Sequence, residues 1–197
     1  MSDTDILEAD AEIQTLETLF LTEDEYLATE PDRLERHEYI DGQIRAMGGA
    51  SDSHEGVSLL VASKLLQHLR GKPCRVYKGD MKLRVQQHAQ ARKVVFYYPD
   101  IMVVCDPADA HANYKTRPKV IVEVLSHDKG RDLIEKLAVY RDIDTLEEYF
   151  VISQHAQRPE VTAFRRRTGF EPEITQDGPF RMESIELDLT VSELYDY

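Results

Sequence analysis

Two carboxylates stand where buried strands ordinarily carry none. Asp100 follows Pro99 inside the apolar run FYYPDIMVVCD, and Glu123 sits between Val122 and Val124 in KVIVEVLSHD. An ionised carboxylate in a low-dielectric surrounding is costly unless it is paired, hydrogen-bonded or bound to a metal. Projecting from one sheet edge toward a common point, the two acids would offer hard oxygen ligands with open positions beside them. That set suits Mg2+, with Mn2+ as a substitute, because such an ion keeps several waters and takes further ligands from substrate phosphate. The ion would activate water and neutralise charge building on a phosphodiester. A lysine close by would orient that water and stabilise the transition state. Lys136, in the amphipathic segment after the second strand, fills this part. The competing reading pairs Glu123 with Lys119 as an ordinary strand residue. Two acids inside apolar strands, ahead of a helix bearing a lysine, tilt the balance toward a site.

The elements that would hold these residues follow from periodicity and punctuation. LTEDEYLATEP predicts a short helix capped by Thr22 and closed before Pro31. HEYIDGQIRAM alternates about Asp41-Gly42, a two-residue hairpin signal. GGASDSHEGVSLLVASKLLQHLRGKP is the clearest helix, with a cap among residues 51 to 53 and a stripe of Val57, Leu60, Val61, Leu65 and Leu69. Gly71 and Pro73 stop it. CRVYKGDMKLRV, VVFYYPDIMVV and KVIVEVLS each read as a strand-like run. RDLIEKLAVYRDI follows as a helix with Leu133, Ile134, Leu137 and Tyr140 near one face, and EEYFVIS is the strand after it. EVTAFRRRTGF and ESIELDL continue as strands, and TVSELYDY closes as a short helix capped by Thr190. This order predicts a mixed α/β fold, a central sheet flanked by helices with additional N- and C-terminal strands. Residues 1–21 read as an acidic N-terminal arm and 22–197 as a single domain.

Charge is unevenly spread along the chain. The net charge is −13, yet residues 1–41 carry −12, residues 45–167 carry +6 and residues 168–197 carry −7. A basic middle between acidic ends permits a polyanionic partner. No apolar run approaches the ~20 residues needed to cross a bilayer, and the acidic start lacks the basic-then-apolar pattern of a secretory signal. Cys74 and Cys105 have no metal-ligand spacing and lie in apolar surroundings, so they are expected as reduced core thiols of a cytoplasmic protein, with a disulfide as the less favoured alternative.

Other chemistry is poorly supported. The seven histidines include no i, i+4 pair and none near a cysteine pair, which argues against zinc. His54 reads as a helix starter, while His127 lies beside the proposed site and is a lesser catalytic candidate. Gly-x-Ser-x-Gly is absent, and GGASDS lacks the Lys-Ser/Thr ending of a phosphate-cradling loop. Arg165-Arg166-Arg167 reads as a solvated strand end sooner than as a phosphate contact. Tyr97 and Tyr98 fall on opposite faces of one strand, so one of them is expected to be buried.

YYPDIMVVCD, VIVEVLS and EKLAVYRDIDTLEEYFVIS, together with HEYIDGQI, ASDSHEG and GDMKLRV, resemble the Uma-type "putative restriction endonuclease" family of the PD-(D/E)XK nuclease superfamily. The resemblance runs over roughly residues 22–197. It implies a restriction-endonuclease-like fold and a Mg2+-dependent endonuclease acting on DNA. It makes Asp100 the aspartate of the PD motif and Glu123 the acid of the next. The superfamily at large places a lysine two residues after that glutamate, where this chain has Leu125. The Uma-type pattern moves it to the following helix, where Lys136 stands. Glu38, before the IDG turn, is implied as a further metal or water ligand, and Asp80 matches a recurrent acid with no assigned role. The chain departs from the family's Ser-Pro-Ser turn, reading Ser126-His127-Asp128. A catalytically inactive binding module for nucleic acid or a protein partner is therefore the alternative. Cleaving two strands favours two sites, hence a homodimer.

Overall fold

The computed structural model describes residues 20–87, 93–125 and 130–197. His127 and nearly all of the acidic arm lie outside the described residues. The chain divides into two compact units, Met1–Met47 and Gly48–Tyr197.

In the first unit, helix α1 (Glu23–Thr29) starts with a capping box. The Thr22 hydroxyl accepts from the Glu25 amide while the Glu25 carboxylate accepts from the Thr22 amide. A 3-10 turn containing Pro31 follows. Strands β1 (His37–Ile40) and β2 (Gln43–Ala46) pair antiparallel, Ile40 opposite Gln43, around Asp41 at φ 51° and Gly42 at φ 94°. That two-residue turn needs a left-handed backbone at both positions, which Asp-Gly tolerates. Tyr26 packs against Tyr39, and its hydroxyl donates to the His37 carbonyl at 2.7 Å.

The second unit is built on a six-stranded mixed sheet. Helix α2 (Asp52–His68) precedes β3 (Arg75–Lys78), β4 (Lys82–Gln86), β5 (Val94–Tyr97), β6 (Ile101–Val104), β7 (Tyr114–Lys115) and β8 (Pro118–Leu125). Helix α3 (Gly130–Tyr140) then leads to β9 (Glu148–Ser153), β10 (Val161–Arg165), β11 (Pro172–Thr175), β12 (Pro179–Met182) and β13 (Leu187–Thr190). The sheet order is β11-β10-β9-β8-β6-β3. β8 and β9 run parallel, joined through α3, and their neighbours are antiparallel. β4 pairs antiparallel with β5 and parallel with β7, and β12 with β13 forms a hairpin.

Two runs that read as single strands are each broken in two. VVFYYPDIMVV separates into β5 and β6, which pair with different partners, because Pro99 has no amide to donate to a ladder. CRVYKGDMKLRV separates into β3 and β4 at Gly79, where φ is 66°. These two crossings touch: the Gly79 amide donates to the Asp100 carbonyl at 2.9 Å.

The core explains why β6 is apolar throughout and why β8 is apolar apart from Lys119 and Glu123. Val57, Val61 and Leu65 of α2 cover one face of the sheet, packing with Ile101, Val120, Val122 and Phe150. Tyr140 of α3 covers the other face, its ring edge-on to Tyr97 and Tyr149. A strand covered on both faces reads as a continuous hydrophobic run. Each fully buried Val or Leu here contributes about 2 kcal/mol.

Several expectations need correcting. Ile134 is 72% exposed, and the inward side of α3 is Lys136, Val139 and Tyr140. Tyr97 and Tyr98 are both buried, since the chain leaves β5 at Tyr97 and no strand alternation carries on through Tyr98. The closing segment is a 3-10 turn, Ser192–Leu194, with Val191 at its cap. The cysteines, expected as reduced thiols, are joined in a disulfide with Cα atoms 3.9 Å apart. β3 and β6 pair Arg75 with Val104, and the next pair beyond brings Cys74 opposite Cys105.

Candidate active site

The antiparallel register of β6 and β8 brings the two acids together. Ile101 lies opposite Val122, and one step further the same register sets Asp100 opposite Glu123. Asp100 occupies the bend where the chain enters β6, so its side chain is not committed to the ladder. Its Oδ2 accepts the Val124 amide at 2.7 Å and the His54 ring Nε2–H at 3.1 Å. An ionised carboxylate only accepts, so the proton must sit on Nε2 of the imidazole.

Glu123 is buried at the middle of the cluster. Its Oε1 accepts from Lys136 Nζ at 3.2 Å and from the Tyr140 hydroxyl at 2.9 Å. Lys136 and Tyr140 lie one helical turn apart on α3, the spacing that aims two side chains the same way. The ammonium group also rests over the Tyr97 ring, 5.6 Å from its centroid. α3 is the next element after β8 in the chain, and it packs back over the strand and returns its lysine to the glutamate it follows. The structure thus gathers Asp100, Glu123 and Lys136 in one place and adds His54 and Tyr140.

The two acids ionise differently. Burial pushes the Glu123 carboxyl up to about 7, and the Asp100 charge adds to the effect against the pull of Lys136 and Tyr140. Burial also opposes ionisation of Asp100. There the His54 hydrogen bond and charge, the Val124 amide and Lys136 prevail, holding its carboxyl below the usual value. Asp100 is the permanent anion and Glu123 the acid poised near neutrality.

Every described hydrogen bond to these carboxylates ends on Asp100 Oδ2 or Glu123 Oε1. Asp100 Oδ1 and Glu123 Oε2 stand outside those bonds. Two such oxygens fit a hard divalent cation that draws its other ligands from water and substrate. Among the described residues no group of three or more His, Cys, Asp or Glu has the geometry of a fully protein-ligated centre.

Glu38 belongs to the first unit, where it is buried in β1 opposite Arg45. The cluster above is built wholly from the second unit. Asp80 is exposed at the turn after β3, its amide donating to the Lys78 carbonyl. The three consecutive arginines are structural. Arg165 is buried against Glu148 and Glu173, Arg166 caps the carbonyls of Ile143 and Leu146, and Arg167 makes a two-pronged pair with Glu183.

Two residues of the cluster escaped sequence reasoning. Tyr140 was detectable, since it follows Lys136 by four on a helix. His54 was not: its partner lies 46 residues away, and no local spacing reports that contact.

Comparison with known proteins points one way. The family model described as "Putative restriction endonuclease" (Uma2) matches residues 23–192. The uncharacterized protein slr1290 of Synechocystis sp. is 34% identical over 139 residues, covering 68% of each chain. A second uncharacterized Synechocystis protein, sll1609, is 32% identical over 147 residues, covering 73% of this chain and 80% of that one. Among solved structures, one from Anabaena variabilis described as "a putative nuclease belonging to DUF820" superposes with a TM-score of 0.68. The match covers 89% of this chain and 97% of that one at 20% identity, which shows a shared fold.

Proposed function

The chain belongs to the Uma2 "Putative restriction endonuclease" family, and from that membership and the Asp100–Glu123–Lys136 cluster we propose a Mg2+-dependent endonuclease that hydrolyses DNA phosphodiester bonds. The reading is carried chiefly by the relocated lysine: Lys136 reaches the acid of the sheet edge although Leu125 fills the position two residues after that acid.

Asp100 and Glu123 are the residues that would hold the ion, through the oxygens left outside the protein's own hydrogen bonds. Mg2+, or Mn2+ in its stead, would supply Lewis acidity and an activated water when bound. Asp100 stays ionised through His54 and the Val124 amide, and so keeps a fixed negative charge at the rim. Lys136 holds its ammonium in a largely buried position, where it counters negative charge on a phosphate and orients a nucleophilic water. Tyr140 keeps the Glu123 carboxyl turned toward Lys136.

The basic middle of the chain, +6 over residues 45–167, supports a DNA backbone as partner. Two strands call for two sites, which a homodimer supplies. The cytoplasm is where this substrate lies. Among the described residues no helix is long and apolar enough to cross a membrane.

The test is cleavage of single-stranded, duplex and branched DNA with Mg2+, Mn2+ or EDTA. Asp100→Asn, Glu123→Gln, Lys136→Ala and Glu38→Gln run alongside, and sedimentation gives the oligomeric state. Ion-dependent cleavage lost in the first three variants supports the proposal, and Glu38→Gln reports whether that acid belongs to the reaction. Absence of cleavage with either ion, on all three substrates, would leave the fold as a binding module.

A further inference from the structure

We propose that His54 is a positioning residue of this site: with the Val124 amide it fixes Asp100 Oδ2, so that Oδ1 is the oxygen presented to a divalent cation. The inference rests on the metal-dependent reading above and extends it to a residue of α2.

The geometry is specific. Asp100 stands at a bend, and a carboxylate there has two equivalent oxygens and a rotatable bond. Two donors converge on one of those oxygens, His54 Nε2–H at 3.1 Å and the Val124 N–H at 2.7 Å. They come from different elements, α2 and β8, so rotation of the carboxylate breaks both bonds together. Val124 is the neighbour of Glu123, and its amide therefore ties the orientation of one acid to the backbone of the other.

His54 is itself held in place. The Ser51 hydroxyl caps α2 by accepting the His54 amide at 3.2 Å, and it donates to Gln154 Oε1 at 3.0 Å. The Gln154 backbone N–H in turn donates to the Leu125 carbonyl at 3.2 Å. The start of α2 is thereby anchored to the end of the strand that carries Glu123. The His54 side chain is 15% exposed and Asp100's is 21%, so water competes weakly for the bond between them. Partners that orient a ligand carboxylate commonly carry about 10–100-fold in metal affinity.

The experiment is calorimetric titration of the full chain with Mn2+ alone, alongside thermal melts in EDTA. Wild type, His54→Ala, His54→Gln and Asp100→Asn are compared. The Gln amide N–H reaches roughly where the imidazole Nε2–H lies, whereas alanine leaves Oδ2 with one donor. Mn2+ affinity is expected to fall about 10-fold or more in His54→Ala and to recover largely in His54→Gln. Should His54→Ala fail to fold, His54→Asn, whose amide is too short for Asp100, takes its place. Wild-type affinity in His54→Ala overturns the assignment, as does a His54→Gln protein no better than His54→Ala. A lowered melting temperature in both His54 variants with unchanged Mn2+ affinity reduces the contact to helix anchoring and also overturns it. Mn2+ binding unaltered by Asp100→Asn, or absent in wild type, instead sinks the metal-dependent reading, and the assignment of His54 goes with it.

Discussion

Lys136 Nζ lies 3.2 Å from Glu123 Oε1, joining a helix to the strand it follows across thirteen residues of chain. Both side chains are almost wholly buried. Burial is the main reason the Glu123 carboxyl titrates near neutrality, and the Lys136 charge is the largest influence restraining it. A buried pair of this kind is judged by what happens when one partner is removed.

Replacing Lys136 by Met removes that restraint. The Glu123 carboxyl is then expected to titrate above about 7. Carboxyl carbon NMR of the metal-free protein, compared with wild type, reads the shift directly; an unchanged or lower value contradicts the electrostatic account.

The same acid sets a pH dependence of stability in EDTA. The Glu123 value is raised in the folded state, so its contribution is complete below its unfolded value of 4.5 and is lost as pH rises through about 7. Asp100 is lowered, so its contribution is present above 3.8 and is lost as pH falls further. Urea unfolding between pH 4 and 8 should therefore show stability declining toward pH 8, with a shallower decline in Glu123→Gln. Equal slopes would remove Glu123 as the cause.

Tyr140→Phe deletes one donor to a buried carboxyl without opening a cavity. A loss of about 1.5–3 kcal/mol is expected, the range for a hydrogen bond to a charged group. Denaturant unfolding measures it, and a neutral result would mean that the Tyr140–Glu123 bond contributes nothing net.

Away from the site, Arg165 pairs with Glu148, both buried, while Glu148 also accepts the amides of Glu183 and Ser184. Arg165→Met leaves that carboxylate without its cation and should cost about 3 kcal/mol. Arg165→Met combined with Glu148→Leu is expected to recover part of the loss, which a double-mutant cycle would detect.

The Cys74–Cys105 bond closes a separation of 31 residues. Loop-closure entropy gives such a link about 3.7 kcal/mol. Unfolding with and without reductant, set against Cys105→Ser, checks this; a reductant-insensitive midpoint would show the thiols free in solution.

Much of this protein is legible in one dimension. Thr22 with Glu25, Asp41-Gly42, the stripe from Val57 to Leu69 and the run around Glu123 each carry a local rule, because caps, turns and periodicity are settled within a few residues. Local rules also made Asp100, Glu123 and Lys136 conspicuous, each a charge in an apolar or amphipathic run. Only the tertiary structure decided what those charges meet. Pro99 and Gly79 divide two apparent strands and lay the resulting crossings against each other, which sets Asp100 at a bend facing Glu123. Neither the His54 bond across 46 residues nor the Cys74–Cys105 pairing has any trace in nearby residues. Both arise from strand register and helix docking, which depend on how whole elements bury their faces and not on the order of side chains within any one of them.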